Sequence, residues 1–133
     1  MAKVSIIVIS HSKELADGIV DLVSQTKQED VAIAAAGGTE DGEIGTSVDR
    51  ITGAVESVTT EEGVLLLFDI GSALMNAEMA LEMLPELEGR ITIADAPLVE
   101  GTYIAAVEAG MGKTLEEVKK AAESAKEWKK IED

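Results

Sequence analysis

Cysteine is absent from this chain, histidine occurs once, and the aromatic residues are one Trp, one Tyr and one Phe. Without cysteine there is no disulfide scaffold, no cysteine nucleophile and no cysteine-ligated zinc. A single histidine, His11, excludes a multi-histidine metal site. No apolar stretch approaches the ~20 residues of a membrane span. The run Val4–Ile9 is too short for a secretory signal and leads straight into polar residues. A soluble, cytoplasmic protein is expected.

Basic residues are also scarce, 11 Lys and Arg against 26 Asp and Glu, for a net charge of −15. The imbalance is local. Residues 113–133 carry 6 lysines and 6 acids, whereas residues 1–112 carry 5 basic and 20 acidic residues. That surface repels the phosphates of nucleic acid and of anionic membranes, so neither is expected as a partner. Apolar residues are plentiful at 46%, the composition of a globular chain rather than a disordered one. Length allows one domain, taken as residues 1–133.

Four apolar runs begin at Val4, Val31, Val64 and Ile91, spaced by the length of a strand, a helix and two connections. They are nearly continuous rather than alternating, as strands covered on both faces are. Helical spacing fills the intervals. Leu15, Ile19, Leu22 and Val23 share one face of the first helix. Val48, Ile51, Val55 and Val58 do so in the second, and Leu74, Ala77, Leu81 and Leu84 in the third. A helix over Leu98–Gly110 follows. Thr114 then caps a last helix with Leu115, Val118, Ala122, Ala125 and Trp128 on one side, where Trp128 reads as an anchor against the body. The fold class is α/β: a doubly wound sheet of four parallel strands flanked by helices, with an additional C-terminal helix.

In such a sheet ligands gather at the carboxyl ends of the strands, where the strand order reverses. His11 directly follows the first strand and precedes a helix, whose unpaired N-terminal amides favour an anion. A neutral imidazole keeps one ring lone pair free. Asp69 ends the third run, in Phe68-Asp69-Ile70-Gly71-Ser72. A carboxylate there can accept from one imidazole nitrogen and leave the other nucleophilic. Ser72 is placed to cap the next helix, and its hydroxyl and the amides after it are candidates for holding phosphate oxygens. The loop Gly37–Thr46 carries four glycines, which let backbone approach a ligand, but it lacks the dinucleotide fingerprint. Its acids Glu40, Asp41 and Glu43 lack calcium-loop spacing.

Other chemistries fail on specific residues. Val107 stands where a phosphate loop ending Gly112-Lys113-Thr114 needs its first glycine. Asp69-Ile70-Gly71-Ser72 is like a sugar-kinase phosphate loop, yet the chain is too short for that two-domain fold. There is no Gly-x-Ser-x-Gly elbow for a serine hydrolase. Ser10-His11 replaces the paired acids of a receiver domain. What remains is a histidine, an orienting aspartate and phosphate-friendly loops, with no metal and no cofactor expected. Phosphohistidine carriage fits that set.

These residues resemble a known family. Ile9-Ser10-His11-Ser12-Lys13-Glu14-Leu15-Ala16-Asp17-Gly18, Gly38–Ser47, Asp69-Ile70-Gly71-Ser72-Ala73 with Asn76, and Ala96–Gly101 are similar to mannose-type IIA domains of the phosphoenolpyruvate phosphotransferase system. Among these they resemble the phosphoryl-donor subunits of dihydroxyacetone kinase. Sugar-transporting relatives tend to have glycine after the histidine and Gly-Gly-Ser-Pro after the aspartate; here Ser12 and Gly71-Ser72-Ala73 stand instead. The resemblance implies that His11 takes a phosphoryl group from phospho-HPr and passes it to ADP on the DhaL subunit, whose ATP phosphorylates dihydroxyacetone on DhaK. It implies Asp69 as the orienting partner, and Thr39, Gly42 and Ser72 lining the phosphate site. Fused HPr and enzyme I domains of some relatives are expected as separate proteins. A homodimer is implied too; Met75, Met79 and Met83 form a second apolar row on the third helix, which reads equally as a dimer face or as a wide core face. A IIA domain of a sugar transporter and a non-catalytic doubly wound regulatory module are the alternatives.

Overall fold

The computed structural model describes residues 2–132. Strands β1 (Ser5–Ser10), β2 (Ile33–Gly37), β3 (Val64–Phe68) and β4 (Ile91–Ile93) alternate with helices α1 (Lys13–Ser24), α2 (Val48–Val58), α3 (Ala73–Glu82) and α4 (Leu98–Gly110). Helix α5 (Leu115–Ser124) follows, and short 3₁₀ turns lie at Pro85–Leu87 and Ala125–Glu127. The sheet is parallel throughout, in the order β2-β1-β3-β4. The chain steps from β1 outward to β2, then crosses back over β1 to β3. The order therefore reverses between β1 and β3. No helix among the described residues is long and apolar enough to cross a membrane.

Two cores explain the continuous apolar runs. Ile6, Val8, Leu65 and Leu67 face α1, α4 and α5, while Ile7, Ile9, Val64 and Leu66 face α2 and α3. Successive strand residues serve opposite cores, so the positions between Ser5 and Ser10 in β1 and throughout β3 are apolar. Each fully buried Ile or Leu contributes about 1.5–3 kcal/mol relative to an exposed one.

Helix α1 departs from the expected face. Its buried residues are Ala16, Ile19 and Val23, while Leu15 and Leu22 are 45% and 57% exposed. The cause is close approach to β2. A Cβ built on Gly37 falls 2.8 Å from the Ala16 Cβ and 2.7 Å from the Ser12 carbonyl oxygen. Only small residues fit that contact, which turns the leucines outward.

Helix α5 starts as expected. Thr114 accepts from the Glu117 amide and Glu117 reaches back to the Thr114 amide, a complete capping box. Trp128 does not anchor it. The helix ends at Ser124, Trp128 has extended backbone after the 3₁₀ turn, and the residue is 44% exposed. Docking instead uses Val118, Ala122 and Ala125, all buried. On α3, Ala73, Ala77 and Ala80 face the sheet, with Leu84 buried just beyond the helix, and Met75, Met79 and Met83 are exposed.

Candidate active site

Register brings His11 and Asp69 together. Ile9 pairs with Phe68 across β1 and β3, so the residues leaving those strands emerge side by side at the reversal of strand order. Ser10 is buried at the end of β1, and His11 and Asp69 are both partly buried. Ser12 then caps α1 by accepting from the Leu15 amide.

The Asp69 carboxylate takes four donors, two on each oxygen. Oδ2 accepts from the Ser10 hydroxyl at 2.8 Å and the His11 amide at 3.0 Å. Oδ1 accepts from the Ile70 amide at 2.7 Å and lies 3.0 Å from His11 Nδ1. Burial pushes the Asp69 carboxyl up, but hydrogen bonds from the imidazole, the Ser10 hydroxyl and the amides of His11 and Ile70 outweigh it. They hold the carboxyl below its ordinary value.

This fixes the imidazole tautomer. A carboxylate only accepts, so Nδ1 carries the hydrogen. Nε2 then keeps its lone pair and accepts from the Ser72 hydroxyl, 2.8 Å away. The ring nitrogen with a lone pair to offer is thus Nε2, on the Ser72 side of the ring.

Ser72 holds the N-cap position of α3 without capping it. Its backbone is helical and its side chain bonds no helix amide. A tight turn begins earlier, with the Ala73 and Leu74 amides donating to the Ile70 and Gly71 carbonyls. The amides following Ser72 are therefore occupied. Those of Gly71 and Ser72 itself donate to no acceptor among the described residues.

The glycine loop wraps the histidine backbone. Gly38 donates to the Ser10 carbonyl at 3.1 Å and Gly45 to the His11 carbonyl at 2.8 Å. Gly38 has φ 74° and Gly45 φ 141°, conformations that favour glycine. Thr39 and Gly42 lie farther along this loop. The Gly42 amide donates to the Thr39 carbonyl, and Thr39 Oγ1 accepts from the Glu43 amide. Neither bonds the imidazole. Gly42 borders a depression of about 310 Å³ with Ser12, Lys13, Glu14 and Ile44.

Sequence reasoning gave Ser10 no role, although a polar residue closing an apolar run was a signal. Asn76 entered only as part of the family resemblance, without a role; its amide donates to Thr46 Oγ1 at 2.6 Å and ties α3 to the glycine loop. Among the described residues no group of three or more potential ligands is placed to hold a metal.

Residues 5–119 match the family described as EIIA-man, PTS system fructose IIA component. The phosphoryl donor subunit DhaM of PEP-dependent dihydroxyacetone kinase 2 from Listeria innocua is 41% identical over 106 residues, 79% of this chain and 85% of that protein. The DhaM subunit of Escherichia coli is 40% identical over 119 residues, and this chain matches a quarter of its length, 25%, with 86% of its own. A solved protein of unknown function, EF1359, superposes with a TM-score of 0.87 at 32% identity, covering 98% of this chain and 99% of that one. Sequence and fold thus stand within one lineage: the chain belongs to the mannose-type EIIA family, among the DhaM phosphoryl-donor subunits of dihydroxyacetone kinase.

Proposed function

We propose that this chain carries a phosphoryl group on His11 Nε2, accepting it from phospho-HPr and delivering it to ADP on the DhaL subunit of a dihydroxyacetone kinase. The observation that carries this reading is the line Asp69–His11–Ser72, which leaves one imidazole lone pair on the Ser72 side of the ring. That lone pair attacks phosphorus as the bond to the donor's histidine breaks, and the donor imidazole leaves with the electron pair. Nδ1 keeps its hydrogen on Asp69, whose charge stabilises the positive ring formed in transfer. The Ser72 hydroxyl turns from Nε2 to a phosphoryl oxygen, joined by the amides of Gly71 and Ser72 at the start of α3. Thr39, its hydroxyl hydrogen free to donate, and Gly42 are assigned to the phosphate site from the glycine loop, whose Gly45 amide holds the His11 carbonyl. Delivery to ADP reverses these steps.

Support for a protein partner comes from the exposed surface. Leu15, Ile44 and Ile70 stand exposed on the segments that frame the site. A small substrate is normally held in a deep concavity, whereas a relay between proteins needs an open surface. We read residues 1–133 as one domain acting in the cytoplasm as a homodimer. The exposed Met75, Met79 and Met83 of α3 offer a face for the second copy.

Reconstitution with enzyme I, HPr and a DhaK–DhaL pair tests the function. Dihydroxyacetone phosphate should form only when this chain is present, with one phosphate on His11 in its absence of acceptor. Product formed equally without the chain, or phosphate found elsewhere, overturns the proposal.

A further inference from the structure

We infer that Ser10 is a positioning residue for phosphoryl transfer, its hydroxyl holding the Asp69 carboxylate in the one orientation that keeps His11 Nδ1 protonated. The inference rests on His11 as carrier but is readable without it. Ser10 is fully buried. Its oxygen accepts from the Ser12 amide at 3.0 Å, so the hydroxyl's single hydrogen goes to Asp69 Oδ2, 2.8 Å away.

Ser5, at the other end of β1, is the internal contrast. It is equally buried, but its hydroxyl donates to the Val58 carbonyl at 2.6 Å, the ordinary way to satisfy a buried serine. Ser10 spends its hydrogen instead on a charged side chain across the ladder. Remove it, and Oδ2 keeps only the His11 amide. The carboxylate, held then by the His11 and Ile70 amides and the ring alone, loses one restraint against turning about its Cβ–Cγ bond, a turn that carries Oδ1 away from Nδ1. The tautomer of a histidine is set by the partner of its other nitrogen, so loss of that partner releases it.

The test is ring-nitrogen NMR of the unphosphorylated, ¹⁵N-labelled chain, together with phosphorylation kinetics. Wild type should show the Nδ1–H tautomer alone. Ser10→Ala should show a mixture with Nε2–H and accept phosphate from phospho-HPr about tenfold more slowly. In an Asp69→Asn background, Ser10→Ala should change the rate less than about twofold, because the residue it acts through is already altered. Ser5→Ala should lower thermal stability with the tautomer unchanged. The inference falls if Ser10→Ala keeps the wild-type tautomer, or slows transfer by the same factor in both backgrounds. If wild type takes no phosphate at all, the carrier reading fails, and the tautomer still decides the role of Ser10.

Discussion

Asp69 grips His11 twice, accepting the backbone amide of that residue on one carboxylate oxygen and facing its ring Nδ1 with the other, each at 3.0 Å. Backbone and side chain are fixed by one planar group, so the ring has little freedom to turn. The first consequence concerns the ring itself. His11→Ala should fold normally and accept no phosphate from phospho-HPr. Asp69 would keep three of its four donors, so stability should fall by no more than about 1.5 kcal/mol. Intact mass after incubation with phospho-HPr reads the outcome; a phosphorylated variant removes His11 as carrier.

Asp69→Asn should slow phosphate acceptance at least ~10-fold, since a charge-assisted hydrogen bond is worth about 1.5–3 kcal/mol. It should also destabilise the fold. All four neighbours of the carboxylate donate. An amide NH₂ placed at Oδ1 forces the wrong tautomer and orphans the Ile70 amide; placed at Oδ2 it orphans the His11 amide. Rapid-quench phosphorylation and urea unfolding measure the two effects, and equal rates would separate Asp69 from the chemistry.

The depressed Asp69 carboxyl also predicts an acid limb of stability. Its folded pKa lies below the unfolded one, so its contribution is complete above the unfolded value, about 4, and is lost as pH falls through the folded value. The stability gap between wild type and Asp69→Asn should shrink as pH falls below about 4. Urea melts across that range check it; a gap that never closes contradicts the hydrogen-bonded carboxylate.

Gly37→Ala should destabilise by about 1–3 kcal/mol through overpacking. The added Cβ meets the Ser12 carbonyl and the Lys13 Cα at 2.7 and 2.8 Å, backbone that cannot swing aside. Because those residues follow His11, phosphate acceptance should fall as well. Thermal unfolding and phosphorylation should move together; an unchanged melting temperature would mean that α1 tolerates a shift.

The dimer is tested on α3. Sedimentation at micromolar concentration should give twice the chain mass for wild type and one chain mass for Met79→Glu, which puts a charge in the middle of the exposed methionine row. A monomeric wild type ends the dimer reading.

The strands were legible because burial on two faces demands unbroken apolar runs, and α4 was readable to its ends for the same reason. The face of α1 was not. Leucine outranks alanine in any hydrophobic pattern, yet the helix lies so near Gly37 that Ala16 takes the inner position. In the site, His11 and Asp69 could be paired from strand ends alone. The role of Ser10 required the register of β1 on β3, and the Ser72 hydroxyl reaches His11 instead of capping α3 because its backbone is helical, which no residue pattern specifies.

The register of Ile9 on Phe68 has a kinetic side. His11 and Asp69 leave two strands joined by one ladder, so thermal breathing of the sheet carries both in the same direction and their separation persists. A nucleophile assembled by a closing loop would spend part of its time unaimed, and each encounter would wait for the loop. Here the ring is aimed before the partner arrives. Turnover with a phosphorylated carrier should therefore track how often the two proteins collide and how fast they part, rather than any rearrangement of this chain.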